Sequence, residues 1–275
     1  MDARLQRRVQ RYGWDKAAAF YEQYWSRQLH PAQRRLLERA ELRAGHRVLD
    51  VACGTGLVTF LAADAVGSAG RVVATDLSEG MIARLANEAS RRGLAHVSAT
   101  RMDAEAIECA GRSFDVALCS LGLMYVPDPL KALGEMCRVL AEGGRAVVSV
   151  WGSRERCGWA EIFPIVDRRV ASEVCPMFFQ LGTGDTLGHV MHQAGFVDVA
   201  IDRLSTTLEY ESAGAACGAA FAGGPVALAY SRFDAPTRAA AEAEYLASIE
   251  PWRAGDGYAV PGEFVIARGL RRVGT

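Results

Sequence analysis

The chain has 275 residues, half of them hydrophobic and 23% charged, enough to bury one large core, or one core and a small cap, without disulfides or metals. A formal net charge of −1 gives no basic footprint for nucleic acid and no polybasic membrane patch, so a small-molecule partner is expected. No window approaches about eighteen consecutive apolar residues, and the arginines of MDARLQRRVQRYGWD have no apolar run behind them, which points to a soluble, cytoplasmic protein.

The cysteines agree with a reducing compartment. Cys53, Cys109, Cys119, Cys137, Cys157, Cys175 and Cys217 are scattered, odd in number and without a C-x-x-C pair, so most are expected to be small buried hydrophobes.

The first forty residues read as helices. Trp14 to Trp25 places Ala17, Tyr21, Tyr24 and Trp25 at roughly helical spacing, Pro31 is expected to open a second helix, and Gly45 to stop it. This aromatic-rich stretch either packs on a sheet edge or forms a lid over a ligand.

From His46 the pattern alternates. Short apolar runs at Val48–Val51, Arg71–Asp76, Val97–Ala104, Phe114–Gly122 and Arg145–Trp151 predict five strands. Between them, Ser78 caps a helix carrying Met81, Ile82, Leu85, Ala86 and Ala89, and Pro129 opens another that the Gly143-Gly144 pair is expected to end. Such alternation predicts a parallel sheet covered on both faces, with ligands at the carboxyl ends of the strands.

Beyond Trp151 the period is lost as far as Gly184, although aromatic residues concentrate there. Asp185–Gly195 reads as a short helix, Phe196–Tyr210 as a strand, the stretch after Pro236 as an Ala/Glu-rich helix, and Glu263–Arg272 as a last strand. The divisions expected are 1–45 (N-terminal helices), 46–151 (ligand-binding core) and 152–275 (the rest of the sheet with a substrate cap).

The chemistry concentrates in HRVLDVACGTGLVTFLA, His46 to Ala62. Gly54 and Gly56 permit a tight turn close to a ligand, and Asp76, at the end of the second strand, is placed to accept hydrogen bonds from ribose hydroxyls. These features alone fit a dinucleotide fold equally well. Two details oppose a pyrophosphate. Thr59 occupies the position of the third glycine of G-x-G-x-x-G, and Asp50 lies directly under the loop. A carboxylate there repels a pyrophosphate and attracts a cation, by roughly 4 kcal/mol at about 4 Å and an effective dielectric of about 20, before desolvation.

S-adenosylmethionine has that pattern, an ammonium and a sulfonium on an adenosine without phosphate. Here a resemblance enters. DVACGTG (Asp50–Gly56) resembles the first motif of class I S-adenosylmethionine-dependent methyltransferases, with Ala52 where glycine is frequent. ATDLS (Ala74–Ser78) resembles the second, MDAEAI (Met102–Ile107) the third and FDVALCSLGLMYVPDP (Phe114–Pro129) the fourth, while RVLAEGGRAVVSVW (Arg138–Trp151) is similar to the segment entering the fifth strand. Together they resemble the branch containing ubiquinone and menaquinone C-methyltransferases and many small-molecule methyltransferases, closely from Trp14 to Trp151 and only generally beyond.

The resemblance implies an α/β fold: a seven-stranded, mostly parallel Rossmann-like sheet with helices on both faces, the last strand antiparallel, plus N-terminal helices and a small cap. It implies S-adenosylmethionine as cofactor, with Asp50 and the loop Ala52, Gly54, Thr55 and Gly56 at the methionine end and Asp76 on the ribose. Leu77 and Met81 would flank the adenine, Asp103 and Ala104 would read its amino edge, and Ser120 and Leu121 would line the path to the acceptor. Tyr21 joins the cofactor residues as part of the N-terminal helix. Met81 in a helix core and Asp103 as a turn residue are the ordinary alternatives.

Methyl transfer from a sulfonium relies on alignment and exclusion of water, so a base is needed only for an acceptor that must lose a proton. His189 and His192 are the candidate bases, although ordinary surface histidines fit as well, and Asp185 fits a helix N-cap. Trp151, Trp159, Phe178 and Phe179 are candidate walls for a flat aromatic or heterocyclic acceptor, and no metal is expected. The fourth motif reads CSLG rather than the Asn/Asp-Pro-Pro-Tyr of nucleic-acid amino-methyltransferases. Two other readings remain: an NAD(P)-dependent oxidoreductase, and a thiol or arsenite methyltransferase using Cys53, Cys157 and Cys175. A protein that holds the cofactor without transferring its methyl is a third. A monomer or a homodimer is expected.

Overall fold

The computed structural model describes residues 3–170 and 177–273. Helices α1 (Ala3–Ala17) and α2 (Tyr21–Ala40) lead into β1 (Arg47–Val51), α3 (Leu57–Val66), β2 (Arg71–Asp76), α4 (Glu79–Arg91), β3 (Val97–Arg101), β4 (Phe114–Ser120), α5 (Pro129–Val139) and β5 (Leu140–Trp151). The second half holds α6 (Ile162–Asp167), α7 (Thr186–Gln193), β6 (Phe196–Tyr210), α8 (Ala213–Cys217), α9 (Ala227–Ser231), α10 (Ala235–Ile249), the two-residue β7 (Arg253–Ala254) and β8 (Gly257–Arg271).

Among the described residues these strands form one sheet in the order β3-β2-β1-β4-β5-β8-β6, with β7 paired to β8. The pairs from β3 to β5 are parallel, whereas β8 runs antiparallel to both β5 and β6. The expected seven strands and antiparallel last strand are present, and β7 makes the eighth. Nearly every residue of β1 and β4, and the Ala146–Trp151 end of β5, is buried, so both faces of the sheet centre are covered. The strand order reverses between β1 and β4, which opens a crevice at their carboxyl ends.

Strands β5 and β8 begin earlier, at Leu140 and Gly257, and β3 ends earlier, at Arg101, than the sequence expectation, and four further differences have a physical reason. The helix expected across Trp14–Trp25 is interrupted by a turn at residues 18–20, which sets the Trp14 and Tyr21 rings edge to face at 5.7 Å. Pro31 lies inside α2 instead of opening a helix. Trp25, Leu29, Ala32, Leu36 and Ala40 form one buried face across it, and their burial outweighs a lost backbone hydrogen bond. That helix ends on Glu41 in a left-handed conformation, so Gly45 belongs to the turn before β1. The Gly143-Gly144 pair falls within β5 and does not end α5; a Cβ on Gly144 would stand 2.8 Å from the Ala141 carbonyl.

Candidate active site

The crevice is built from the segments that follow the parallel strands. After β1 the chain turns through Ala52 (φ 54°) and Gly54 (φ 57°), and the Gly54 N–H donates to Asp76 Oδ2 at 2.9 Å. The other Asp76 oxygen accepts from the Ser78 N–H at 2.8 Å. Both oxygens are thus fixed at the end of β2, each with a remaining lone pair. Burial pushes the Asp76 pKa up, against the Ser78 and Gly54 N–H groups that favour the anion. Ser78 caps α4 as expected, accepting from the Met81 N–H at 3.1 Å and donating to Asp15 Oδ1 on α1 at 2.6 Å.

The crevice forms a cleft that is partly open to solvent. Of the expected cofactor residues it is lined by Tyr21, Ala52, Gly54, Asp76, Leu77, Met81, Asp103, Ala104 and Ser120. A Cβ on Gly54 would meet nothing closer than Tyr21 Cε1 at 3.9 Å, so the glycine leaves open space where a ligand can approach the backbone. Asp103 combines its two readings: Oδ1 accepts the Glu105 N–H at 2.9 Å in a turn, and Oδ2 forms an ion pair with Arg7 at 3.0 Å. At the tip of β4, Leu121 also has a left-handed φ of 57°, and a Cβ on neighbouring Gly122 would come within 2.3 Å of Ala52 Cβ.

Three expected residues do not line the cleft. Asp50 is fully buried beneath the loop, where its Oδ2 accepts from Thr59 Oγ1 at 2.6 Å and its Oδ1 has no partner among the described residues. Burial pushes its pKa up to about 7, opposed by the Thr59 bond. Thr55 is buried toward a separate groove that also contains Leu57 and Arg84. Gly56 (φ 101°) faces α3 and α4, where a Cβ would stand 2.7 Å from Phe60 and 3.0 Å from Leu85. The structure therefore places these three beneath or behind the loop and off the cleft surface.

The candidate bases are also displaced from the cleft. His189 and His192 are exposed on α7, which packs on β6, β8 and α5, and His189 Nδ1 sits 2.9 Å from the Asp185 carbonyl oxygen. Asp185 occupies the N-cap position of α7 without a side-chain capping bond. Cys53 and Cys157 are buried and line neither the cleft nor the hollow beside it, and burial pushes the Cys157 thiol up to about 12. Cys175 lies outside the described residues.

Sequence reasoning offered the stretch from Trp14 as a lid but missed the polar residues of α1 before it. Arg7, Gln10, Arg11 and Trp14, spaced i, i+3, i+4, i+7, line the cleft from above, so this helix covers it. Arg7 pairs with Asp103 and with buried Glu105. The available signal is the one-faced spacing of Arg7, Gln10, Arg11 and Trp14. Met102, Tyr125, Val126 and Pro127 complete the wall.

Beside the cleft lies a smaller, nearly filled hollow sharing Trp14, Tyr21, Leu121 and Tyr125 with it. Three of the four expected acceptor-wall residues, Trp151, Trp159 and Phe178, line this hollow, together with Trp25. Phe179 stands behind them, 4.8 Å from the Phe178 ring centroid, and does not line it.

Residues 42–174 match the family model described as a methyltransferase domain. The chain is 38% identical over 132 residues to aklanonic acid methyltransferase from Streptomyces sp., a match covering 48% of this chain and 60% of that protein. It is 39% identical over 122 residues to a ubiquinone/menaquinone biosynthesis C-methyltransferase from Xanthomonas campestris, covering 44% and 48%. These matches span about half the length of the curated relatives. The fold aligns with a Haemonchus contortus phosphoethanolamine N-methyltransferase, solved with S-adenosylhomocysteine and phosphomonomethylethanolamine, at a TM-score of 0.63 and 16% identity over 94% of this chain and 58% of that one.

Proposed function

We propose, from the match of residues 42–174 to a methyltransferase-domain family model, that this chain transfers a methyl group from S-adenosylmethionine to a small-molecule acceptor. The observation that carries the reading is the Asp76 carboxylate, held at the switch-point crevice by the Gly54 and Ser78 N–H groups with lone pairs left for a diol. An oxidoreductase reading is disfavoured because Thr59 fills the third-glycine position and a buried acid, Asp50, lies under the loop where a pyrophosphate would rest.

The residues present fit the cofactor. Bound there, it would supply an electrophilic methyl on a sulfonium. Asp76 would accept from the ribose hydroxyls, and Leu77 and Met81 would flank the adenine. Asp103 and Ala104 would meet its edge, and the open backbone at Ala52 and Gly54 would take the methionine end. Arg7, Gln10, Arg11 and Trp14 cover the cleft and exclude water, which supports transfer by alignment. Ser120 and Leu121 stand between donor and acceptor spaces. In this reading residues 46–151 hold the donor and residues 152–275 complete the sheet and cap the acceptor.

The aklanonic acid methyltransferase and ubiquinone/menaquinone C-methyltransferase activities named for the relatives support an aromatic acceptor here. No helix among the described residues is long and apolar enough to cross a membrane. A cytoplasmic setting and a monomer or homodimer belong to this proposal. Calorimetric titration with S-adenosylhomocysteine and with NADH tests the reading. Binding of the first alone is expected; binding of NADH alone would overturn it. Release of tritiated methyl should then be followed across quinols, phenols, carboxylates, amines and thiols.

A further inference from the structure

Three aromatic rings meet at one corner of the cleft. Trp14, the last of the four α1 residues that cover it, stands edge to face with Tyr21 at 5.7 Å and with Tyr125 at 5.1 Å, the planes at 86° and 78°. The rings come from three segments, α1, the start of α2 and the short turn after β4. All three line the cleft and none is fully buried, so a ligand there can reach them. Rings set nearly at right angles form the walls of a box, and the negative face of each attracts a cation. The corner lies over the loop after β1, where a Cβ on Gly54 would have Tyr21 Cε1 as its nearest neighbour.

The charges around the corner favour a cation as well. Burial and then the nearby Asp76 carboxylate push the Tyr21 pKa up, so the phenol stays neutral and the field of the acid is not cancelled. Asp50 lies beneath the same loop. Among the described residues the cations lining the cleft are Arg7 and Arg11, and each faces acids that follow β2 and β3. Arg7 pairs with Asp103 and Glu105, and Arg11 stands 3.7 Å from Glu79. The end of the cleft beside Gly54 and Leu121 therefore offers π faces and acids, and no cation of its own.

We propose that Trp14, Tyr21 and Tyr125 form an aromatic box that recognises the positive charge of the donor's sulfonium, so that the cleft discriminates S-adenosylmethionine from its uncharged product. This role deepens the methyl-transfer reading and rests on it. On transfer, the electron pair of the broken C–S bond stays on sulfur, which becomes a neutral thioether. The box then has no cation to hold, which favours exchange of the spent donor for a loaded one. Rings that served only as packing would support both ligands alike.

Calorimetry of the full chain with S-adenosylmethionine and with S-adenosylhomocysteine tests the box, since the two differ only in the methyl and its charge. Trp14→Leu and Tyr125→Leu, which keep apolar bulk and remove a ring, should each weaken S-adenosylmethionine about threefold to tenfold more than S-adenosylhomocysteine. Tyr21→Phe and Tyr125→Phe keep the ring and should preserve the ratio of the two affinities. Equal loss of both ligands in the leucine variants would overturn the proposal and leave the rings as packing. In the unmodified protein, NMR of S-adenosylmethionine labelled at its S-methyl should show that signal moved upfield on binding by the ring currents; an unmoved signal would overturn the box without any variant. Binding of tetramethylammonium to the protein saturated with S-adenosylhomocysteine, lost in leucine variants whose donor ratio is unchanged, would assign the rings to a cationic acceptor instead. Failure of both S-adenosyl ligands to bind would overturn the underlying methyl-transfer reading, whereas binding of both at an unaltered ratio overturns the box alone.

Discussion

Asp50 Oδ2 accepts a hydrogen bond from Thr59 Oγ1 at 2.6 Å, and both residues are completely buried. The threonine that stands where a dinucleotide fold has its third glycine is therefore the partner of the acid beneath the loop. It ties the end of β1 to the first turns of α3, so the residue that argues against pyrophosphate also fixes the geometry of the donor loop.

This pairing makes a pH prediction. The folded pKa of Asp50, about 7, lies above the unfolded value of about 3.9. A raised acid contributes stability that is complete below pH 3.9 and is lost as pH rises toward 7, because the unfolded chain ionises first. Three pKa units correspond to roughly 4 kcal/mol as an upper figure. Asp50→Asn retains an acceptor for Thr59 and cannot ionise, so its stability should change less across this window than that of the unmodified protein. Urea denaturation of both proteins at a series of pH values checks it; parallel curves would refute it.

Asp76→Ala removes the acceptor for two loop N–H groups and the proposed ribose contact together. Hydrogen bonds to a charged group contribute about 1.5–3 kcal/mol, so affinity for S-adenosylhomocysteine should fall by about tenfold to a hundredfold or more. Calorimetric titration measures this directly. Unchanged affinity would remove Asp76 from the site.

The sheet was legible because its signals are local: β2 runs over the apolar stretch Arg71–Asp76, and β6 over the stretch Phe196–Tyr210. Cleft-lining positions after β1, β2 and β3 were legible because motif order places them at the strand ends. What escaped depends on contacts distant in sequence. Asp50 looked like a ligand contact because burial beneath the loop is invisible in a motif. His189 and His192 looked like bases because exposure on α7 is set by packing on β6. Arg7 escaped because its partners, Asp103 and Glu105, lie almost a hundred residues away.

Ala52 and Gly122 offer a packing test at the mouth of the cleft. Gly122→Ala would bring a Cβ within 2.3 Å of the Ala52 Cβ, forcing the loops after β1 and β4 apart. Overpacking of this kind costs about 1–3 kcal/mol. Ala52→Gly removes the opposing methyl and relieves a left-handed alanine, so alone it should stabilise by up to about 1 kcal/mol. In the double variant most of the Gly122→Ala loss should be recovered. A double-mutant cycle from thermal or urea unfolding reads the coupling, and strict additivity would show that the loops do not meet.

The last prediction concerns the cover formed by α1. Arg7 joins it to Asp103 on the cleft wall and to Glu105, which is only 3% exposed and also accepts from the Asp128 N–H. At the other end, Asp15 accepts from Ser78 Oγ and the Gly80 N–H. Arg7→Ala leaves the Glu105 carboxylate buried without its cation. Removing one partner of a fully buried pair costs about 3–5 kcal/mol, and Arg7 is nearly a third exposed, so about 1–2 kcal/mol is expected after screening. The loss should be local. Amide exchange should accelerate across α1 and leave β1 and β4 protected, and S-adenosylhomocysteine should dissociate several-fold faster as the cover opens more often. Uniform exchange acceleration through the sheet would instead assign Arg7 a role in global stability and detach it from the site.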